Sequence, residues 1–100
     1  MKLPNPPLIT ENGDYDITVE PGSAYLLCLK GNWSAATTVT LKTSSEAIPG
    51  NFNNVIDGVF TADTEQDYRP PSDIVRLSVT GADEFTSLEV DNTKHLDKSI

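Results

Sequence analysis

The sequence predicts an all-β domain that folds as a two-layer antiparallel β-sandwich, immunoglobulin-like or jelly-roll-like, with seven to eight short strands. Apolar and polar residues alternate with a period of two in most segments, which is the pattern of strands buried on one face. Turn residues separate these segments at intervals of about eight to twelve residues, a spacing typical of a sandwich or small barrel. A chain of 100 residues has the length of a single domain.

Three predicted strands lie in the first half of the chain. Asn12-Gly13, a strong hairpin signal, precedes the alternating run 14–19, which ends at Pro21-Gly22. The run 25–30 is apolar on both faces, so we predict that it is a central strand. The run 37–42 is rich in β-branched residues, which favours a strand over a helix.

The second half contains a predicted hairpin, a loop and two further strands. Residues 55–60 have Asp57-Gly58 at their centre, which predicts a tight two-residue hairpin. The acidic stretch 62–72 shows no apolar period and is predicted to be a long surface loop. Residues 74–80 alternate again, and residues 85–90 form the last predicted strand. One core is predicted to contain Val39, Leu41, Val75, Leu77 and Val79.

The predicted sandwich spans residues 9–91 and is flanked by two segments without a strand pattern. Residues 1–8 hold three of the seven prolines, and because proline cannot donate a backbone hydrogen bond, they are predicted to form an extended arm. Residues 92–100 are predicted to form a polar tail. Leu3 and Leu8 are apolar side chains on the arm, which predicts that the arm contacts a partner.

The composition is acidic, with fifteen acidic and seven basic side chains, a net charge of −8 and a pI near 4.3. Such a surface repels phosphate backbones and anionic lipids, so neither a nucleic acid nor a membrane is expected as a partner. The longest unbroken apolar run has six residues, too few for a transmembrane helix. The first residues lack the apolar centre of a signal peptide, so synthesis in a cytoplasm is expected.

Residues that could carry chemistry are few. Cys28 lies in an apolar run and is predicted to be a small core residue, while the single histidine, His95, lies in the tail. A nucleophile activated by histidine is therefore not expected, and neither an enzymatic activity nor a cofactor is predicted. Carboxylates cluster around Asn12-Gly13 and at alternate positions in 63–67, but without the layout of an EF-hand. We predict solvated acidic loops, with a calcium site as the alternative.

Three aromatic residues, Trp33, Phe52 and Tyr68, fall in predicted turns or loops. Exposed aromatic side chains in loops contact glycans or protein partners. The alternative is that each folds back over the end of the sandwich, and for the lone tryptophan this alternative is favoured. Phe85 is predicted on or beside an inward position of the last strand, as part of the core. The predicted partner interface consists of Leu3, Leu8, Trp33, Phe52 and Tyr68.

Four segments carry a resemblance to a known group of proteins. They are residues 12–19 with Asn12-Gly13-Asp14-Tyr15, residues 25–33 with a Gly-x-Trp turn, residues 35–41 with Thr-Val-Thr-Leu, and residues 75–82, which end in Gly81-Ala82. In these segments the chain resembles the small β-sandwich structural proteins of tailed bacteriophages, which are head decoration or accessory proteins and neck or tail proteins.

The resemblance implies a virion structural protein, foremost a capsid decoration or accessory protein that coats or stabilises the head. Its implied partners are the major capsid protein or other virion proteins, it is implied to be a homo-oligomer, and its implied location is the virion. The resemblance supplies no catalytic residues. The alternative comes from another functional class: a carbohydrate- or receptor-binding module of a phage tail or neck, with Trp33, Phe52 and Tyr68 as stacking residues.

Deletion of residues 2–7 tests the predicted arm. Fully extended, eight residues reach at most about 26–29 Å, enough to cross to a neighbouring subunit. We expect the shortened protein to melt at nearly the same temperature as the full chain. Its dissociation constant from the particle or the oligomer should rise by about tenfold or more. Differential scanning calorimetry and a binding titration measure the two quantities. A loss of several kcal/mol of the domain's own stability would show instead that the arm is an intramolecular strand.

Overall fold

The computed structural model describes residues 8–44 and 52–94, apart from the side chains of Asn54, Ile56 and Asp57. These residues form eight strands and no helix, which confirms the predicted all-β class. The strands are β1 (Leu8–Ile9), β2 (Gly13–Thr18), β3 (Tyr25–Asn32), β4 (Thr38–Thr43), β5 (Asn53–Phe60), β6 (Thr64–Tyr68), β7 (Ile74–Thr80) and β8 (Ser87–Lys94).

The strands form two antiparallel sheets of four, the β1 sheet with the order β1-β8-β3-β6 and the β2 sheet with the order β2-β7-β4-β5. The pairs β1–β8, β2–β7, β3–β6 and β4–β5 describe one long hairpin that has been rolled up, and β3–β8 and β4–β7 close the two sheets. This is the pairing scheme of a jelly roll. The immunoglobulin sandwich keeps its first two strands in one sheet, whereas β1 and β2 lie in different sheets here.

The core lies between the two sheets, where the inward side chains of both meet. The predicted core residues are confirmed as one buried set, with exposures of 0–2 % for Val39, Leu41, Val75, Leu77 and Val79. The facing β1 sheet contributes buried side chains from all four of its strands, among them Ile9, Leu27, Leu29, Tyr68, Leu88 and Val90.

The predicted surface loop at 62–72 instead contains a strand, β6, which pairs with β3 along the edge of the β1 sheet. Its outward residues, Glu65 and Asp67, are exposed, and its inward side includes the polar Thr64 and Gln66 before it reaches Tyr68. Inward and outward residues therefore alternate along β6, but most of them are polar, so the hydropathy does not alternate. Backbone hydrogen bonds to β3 stabilise this strand although its side chains have little strand propensity.

Asp57-Gly58 does not form the predicted hairpin, because β5 continues through it. Phe60 and Val59 pair with Val39 and Thr40, and the next pair is Asn54 with Lys42, so residues 55–58 lie opposite Leu41 alone. A turn signal inside a strand marks such a bulge as readily as a hairpin, since both need a local departure from extended backbone.

The last strand begins and ends later than predicted. Phe85 precedes β8, in the turn that leads into it, and its side chain is 72 % exposed rather than inward. Three residues of the predicted polar tail continue the strand and pair with β3: Asn92, Thr93 and Lys94. Their side chains are all polar and show no alternation in the sequence, but their backbones are hydrogen-bonded to β3.

Leu8 belongs to β1 and not to an arm, because it pairs with Glu89 of β8. The next residue, Ile9, pairs with Leu88 and is fully buried. Residues 1–7, with Leu3, lie outside the described part of the chain. The partner contact expected of this segment therefore stays a prediction.

Leu77 tests the core because it lies between Tyr15 of β2 and Leu41 of β4 and is fully buried. We expect Leu77→Ala to lower the free energy of unfolding by about 2–5 kcal/mol, since it removes buried methylene groups and leaves a cavity. Urea unfolding measures the change. The matched control is Thr80→Ala at the exposed end of the same strand, with an expected cost below about 0.5 kcal/mol. A similarly small cost for Leu77→Ala would contradict the described packing.

Candidate functional site

Four connections meet at one end of the sandwich, because β1, β3, β5 and β7 all run toward it. We call this end the loop end, and it consists of residues 10–12, 33–37, 61–63 and 81–86. Loops carried on a rigid sheet scaffold are where binding residues most often lie. The loop end is therefore the most favourable position for a binding site in this fold.

Asp63 connects two of these loops through one carboxylate oxygen. Its Oδ1 accepts a hydrogen bond from the backbone N–H of Gly31, at 3.0 Å, and another from the indole Nε1 of Trp33, at 2.9 Å. Bonds to an ionised acceptor are stronger than bonds between neutral groups. The indole, which is half-buried and packs against the core, is thus held in one orientation.

A cluster of hydroxyl groups connects residues 33–37 with residues 81–86. Thr37 and Thr86, 1 % and 3 % exposed, lie with their Oγ1 atoms 3.1 Å apart. Ser34 Oγ donates to the carbonyl oxygen of Gly81 at 3.1 Å, and the Ser34 N–H donates to Thr37 Oγ1 at 3.1 Å. Buried polar groups that are all hydrogen-bonded hold one arrangement of the backbone.

Gly81 allows these two loops to approach closely. Its φ of +71° lies in the left-handed region, and a Cβ there would lie 1.9 Å from the carbonyl oxygen of Ala36. Any other residue would therefore push the loops apart. On the other side, Asn12 Oδ1 accepts from the N–H of Ala82 at 2.8 Å and adds the 10–12 loop to the assembly.

Residues 83–86 form a turn closed by reciprocal hydrogen bonds. The Asp83 N–H donates to Thr86 Oγ1 at 3.0 Å, and the Thr86 N–H donates to the Asp83 carbonyl oxygen at 3.1 Å. The Phe85 N–H donates to Asp83 Oδ1 at 2.9 Å. The turn presents Phe85 with its side chain 72 % exposed.

The exposure of Phe85 was not predicted from the sequence. The signal that could have predicted it is the spacing Asp83-x-x-Thr86. In this spacing the Asp83 carboxylate accepts from the Phe85 N–H, and the Thr86 hydroxyl accepts from the Asp83 N–H. Asp and Thr side chains make such local bonds in turns and in doing so compete with strand pairing. The aromatic residue was assigned to a strand because the alternating residues Leu88 and Val90 follow it.

The predicted aromatic interface residues are not brought together. Trp33 lies at the loop end and folds over the sandwich, as the alternative interpretation expected. Tyr68 ends β6 at the opposite end of the sandwich and is 9 % exposed. Its ring stacks on Tyr25, with 5.9 Å between centroids, and its hydroxyl donates to Asn92 Oδ1 at 2.7 Å. Burial raises the pKa of Tyr68 to about 12, so it is a neutral core residue and not an exposed loop residue.

Phe52 and Leu8, the other two described residues of the predicted interface, are both half-buried. The guanidinium of Arg76 lies 4.1 Å from the centroid of the Phe52 ring, on the outer face of the β2 sheet. Arg76 also donates two hydrogen bonds to the Asp16 carboxylate, at 2.7 and 3.2 Å. This bidentate bond from Arg76 lowers the pKa of Asp16. Phe52 is therefore occupied by a contact within the domain.

Cys28 is not the core residue that the apolar run predicted. It lies half-buried on the outer face of the β1 sheet, between Glu65 of β6 and Asp91 of β8. Together with Lys30, Glu89 and Asp91 it lines a depression of about 190 Å³. Desolvation, followed by the charges of Glu65 and Asp91, raises the pKa of the thiol, so it stays protonated at neutral pH and is a weak nucleophile.

The carboxylates at 63–67 project from a loop and a strand, because Asp63 precedes β6 while Glu65 and Asp67 lie within it. Within residues 8–44 and 52–94, no three histidine, cysteine, aspartate or glutamate side chains lie together so as to hold a metal ion.

The same part of the chain, residues 8–44 and 52–94, has no helix that is long and apolar enough to cross a membrane.

Comparison with known protein families, with curated proteins and with solved structures finds no match to this chain.

The contact between Asp63 and Trp33 gives a direct test of the loop end, because Trp33 is the single tryptophan of the chain. In Asp63→Ala the indole and the Gly31 N–H lose their shared acceptor, so we expect Trp33 to become more accessible to acrylamide in fluorescence quenching. Glu65→Ala is the matched control, since it removes a nearby exposed carboxylate and is expected to leave quenching unchanged. Equal quenching of Trp33 in both variants would contradict the described contact.

Proposed function

We propose that this protein is a structural protein of a tailed-phage particle that attaches to the capsid as a decoration or accessory protein. The observation that carries the proposal is the strand order, β1-β8-β3-β6 facing β2-β7-β4-β5. Eight strands arranged as a jelly roll recur in viral capsid and lectin domains. Unrelated functions use the same fold, so the shared strand order supports the proposal by analogy.

The four sequence segments that resemble phage structural proteins add support from a separate source. In the structure they fall on the framework: residues 12–19 on β2, 25–33 on β3, 35–41 on β4 and 75–82 on β7. Three of these strands, β2, β7 and β4, are neighbours in the β2 sheet. Three of the four resembling segments therefore lie side by side in one sheet, and the fourth, residues 25–33, lies in the facing sheet.

The loop end suits attachment rather than chemistry. Its side chains are committed to holding loops together, as in the contacts of Asp63, Thr37 and Thr86, and it presents an aromatic side chain on a fixed turn. A protein that coats a surface needs a shape that does not change on binding, since ordering a loop reduces affinity. The sandwich supplies such a shape.

The glycan- or receptor-binding alternative has no comparable support. Its stacking set was Trp33, Phe52 and Tyr68, and these lie at the loop end, under Arg76 and in the core respectively. A glycan platform needs aromatic faces side by side and open to solvent. Binding to glycans or to tails is measured in the same experiment and would favour this alternative.

Co-sedimentation with particles tests the proposal. Virions of the phage whose genome encodes this chain are purified with and without the gene, and the heads and tails are separated. We expect the protein in heads from the intact phage by mass spectrometry. We also expect purified protein to bind heads that lack it, saturably and in many copies per head, because a closed symmetric shell repeats each binding surface.

Tails are the control for specificity, and a glycan array tests the alternative with the same preparation. Binding to heads alone supports a decoration or accessory role. Absence from the virion together with no binding to heads overturns the proposal. Binding to tails, or to immobilised glycans and not to heads, would favour the receptor-binding alternative instead.

A further inference from the structure

Phe85 is the feature of the described surface that the fold itself does not explain. Its side chain is 72 % exposed, whereas the other large exposed apolar side chain, Val59 at 57 %, lies within the edge strand β5. Val59 lies in a strand, where β-branched residues are enriched. Phe85 has no such role, because it lies outside the strands.

The turn that carries Phe85 is rigid although it is exposed. Its N–H is bonded to Asp83 Oδ1 at 2.9 Å, and the next residue, Thr86, is 3 % exposed and lies 3.1 Å from Thr37 between their Oγ1 atoms. The backbone before the turn is held by the approach of Gly81 to Ala36. Binding through Phe85 therefore loses little conformational entropy in this turn, which is how a pre-organised contact gains affinity.

The surroundings of Phe85 define the charge of its partner. Asp83 and Glu84 precede it and are both exposed, and the whole chain carries a net charge of −8. A second copy of the same chain would bring the same carboxylates and the same net charge to the contact, which is repulsive. A partner surface with lysine or arginine around an apolar pocket is attracted to the carboxylates and accepts the ring.

We propose that Phe85 is the central contact by which the loop end binds a partner protein, and that the partner has an apolar pocket bordered by basic side chains. The inference rests on the proposed function, since it assigns this pocket to a protein of the phage head. It adds the side of the domain that faces the head and the chemistry of the surface that receives it. The opposite end of the domain and both outer sheet faces then point away from the contact.

Quantitative binding to heads that lack the protein tests the inference. We expect Phe85→Ala to raise the dissociation constant by about 30-fold or more, as when a central aromatic contact is removed. Phe85→Leu, which keeps an apolar side chain, should bind with intermediate affinity. Glu84→Gln should slow association at low salt and reduce its dependence on salt concentration, because it removes one of the steering charges.

Val59→Ala is the matched control, because it shortens an exposed apolar side chain outside the loop end and is expected to bind as the unaltered protein does. Thermal melting of each variant separates binding from folding, and Phe85→Ala should melt as the unaltered protein does, since so little of the side chain is buried.

The outcomes separate this inference from the proposed function. If the unaltered protein binds heads and Phe85→Ala binds equally well, the inference is wrong and the proposed function stands. Binding that strengthens with salt would overturn the basic border of the pocket. No binding of the unaltered protein to heads would remove the proposed function, and the inference with it.

Discussion

The pairing of β3 with β8 is the interaction on which the rest of the structure depends. It runs from Tyr25 with Lys94 to Asn32 with Ser87, so every residue of both strands is paired. It joins segments from the two halves of the chain and places β3 at the centre of its sheet, with β6 on its other side. Such long-range pairing costs chain entropy before it brings any stability, so it forms only together with the core that it encloses.

This pairing also determines which loops meet. Where β3 ends and β8 begins, residues 33–37 lie beside residues 81–86, and the hydroxyl groups of Thr37 and Thr86 come within 3.1 Å. The opposite end is closed by backbone bonds: the Gly22 N–H donates to the carbonyl oxygen of Pro70 at 2.9 Å, and the Val19 N–H to that of Asp73 at 2.8 Å. In the described residues no buried side-chain nitrogen or oxygen lacks a hydrogen-bond partner. The two ends are thus held by polar contacts, while the core holds the sheets.

The two outer faces of the sandwich differ in how their charges are arranged. On the β2 sheet, Asp16 is bonded to Arg76, and Asp14 accepts a hydrogen bond from Ser78 at 2.7 Å. On the β1 sheet, Glu65, Glu89 and Asp91 lie around Cys28 and Lys30, and desolvation together with the charges of Glu65 and Asp91 raises the pKa of the thiol. Such a face repels anions and offers no activated nucleophile. Its chemistry is that of a solvated protein surface.

The sequence by itself determined the all-β class, the sandwich and the central core, because a period of two reports which side of a strand is buried, as at Val39, Leu77 and Val79. Only the tertiary structure decided what depends on the neighbouring strand. It selected the jelly-roll order, made polar β6 a strand and continued β8 through Asn92 to Lys94. It also placed Cys28 on an outer face and Phe85 on an exposed turn. The physical reason is that the hydropathy of a residue depends on its own side chain, whereas its backbone hydrogen bonds depend on the strand that lies alongside it.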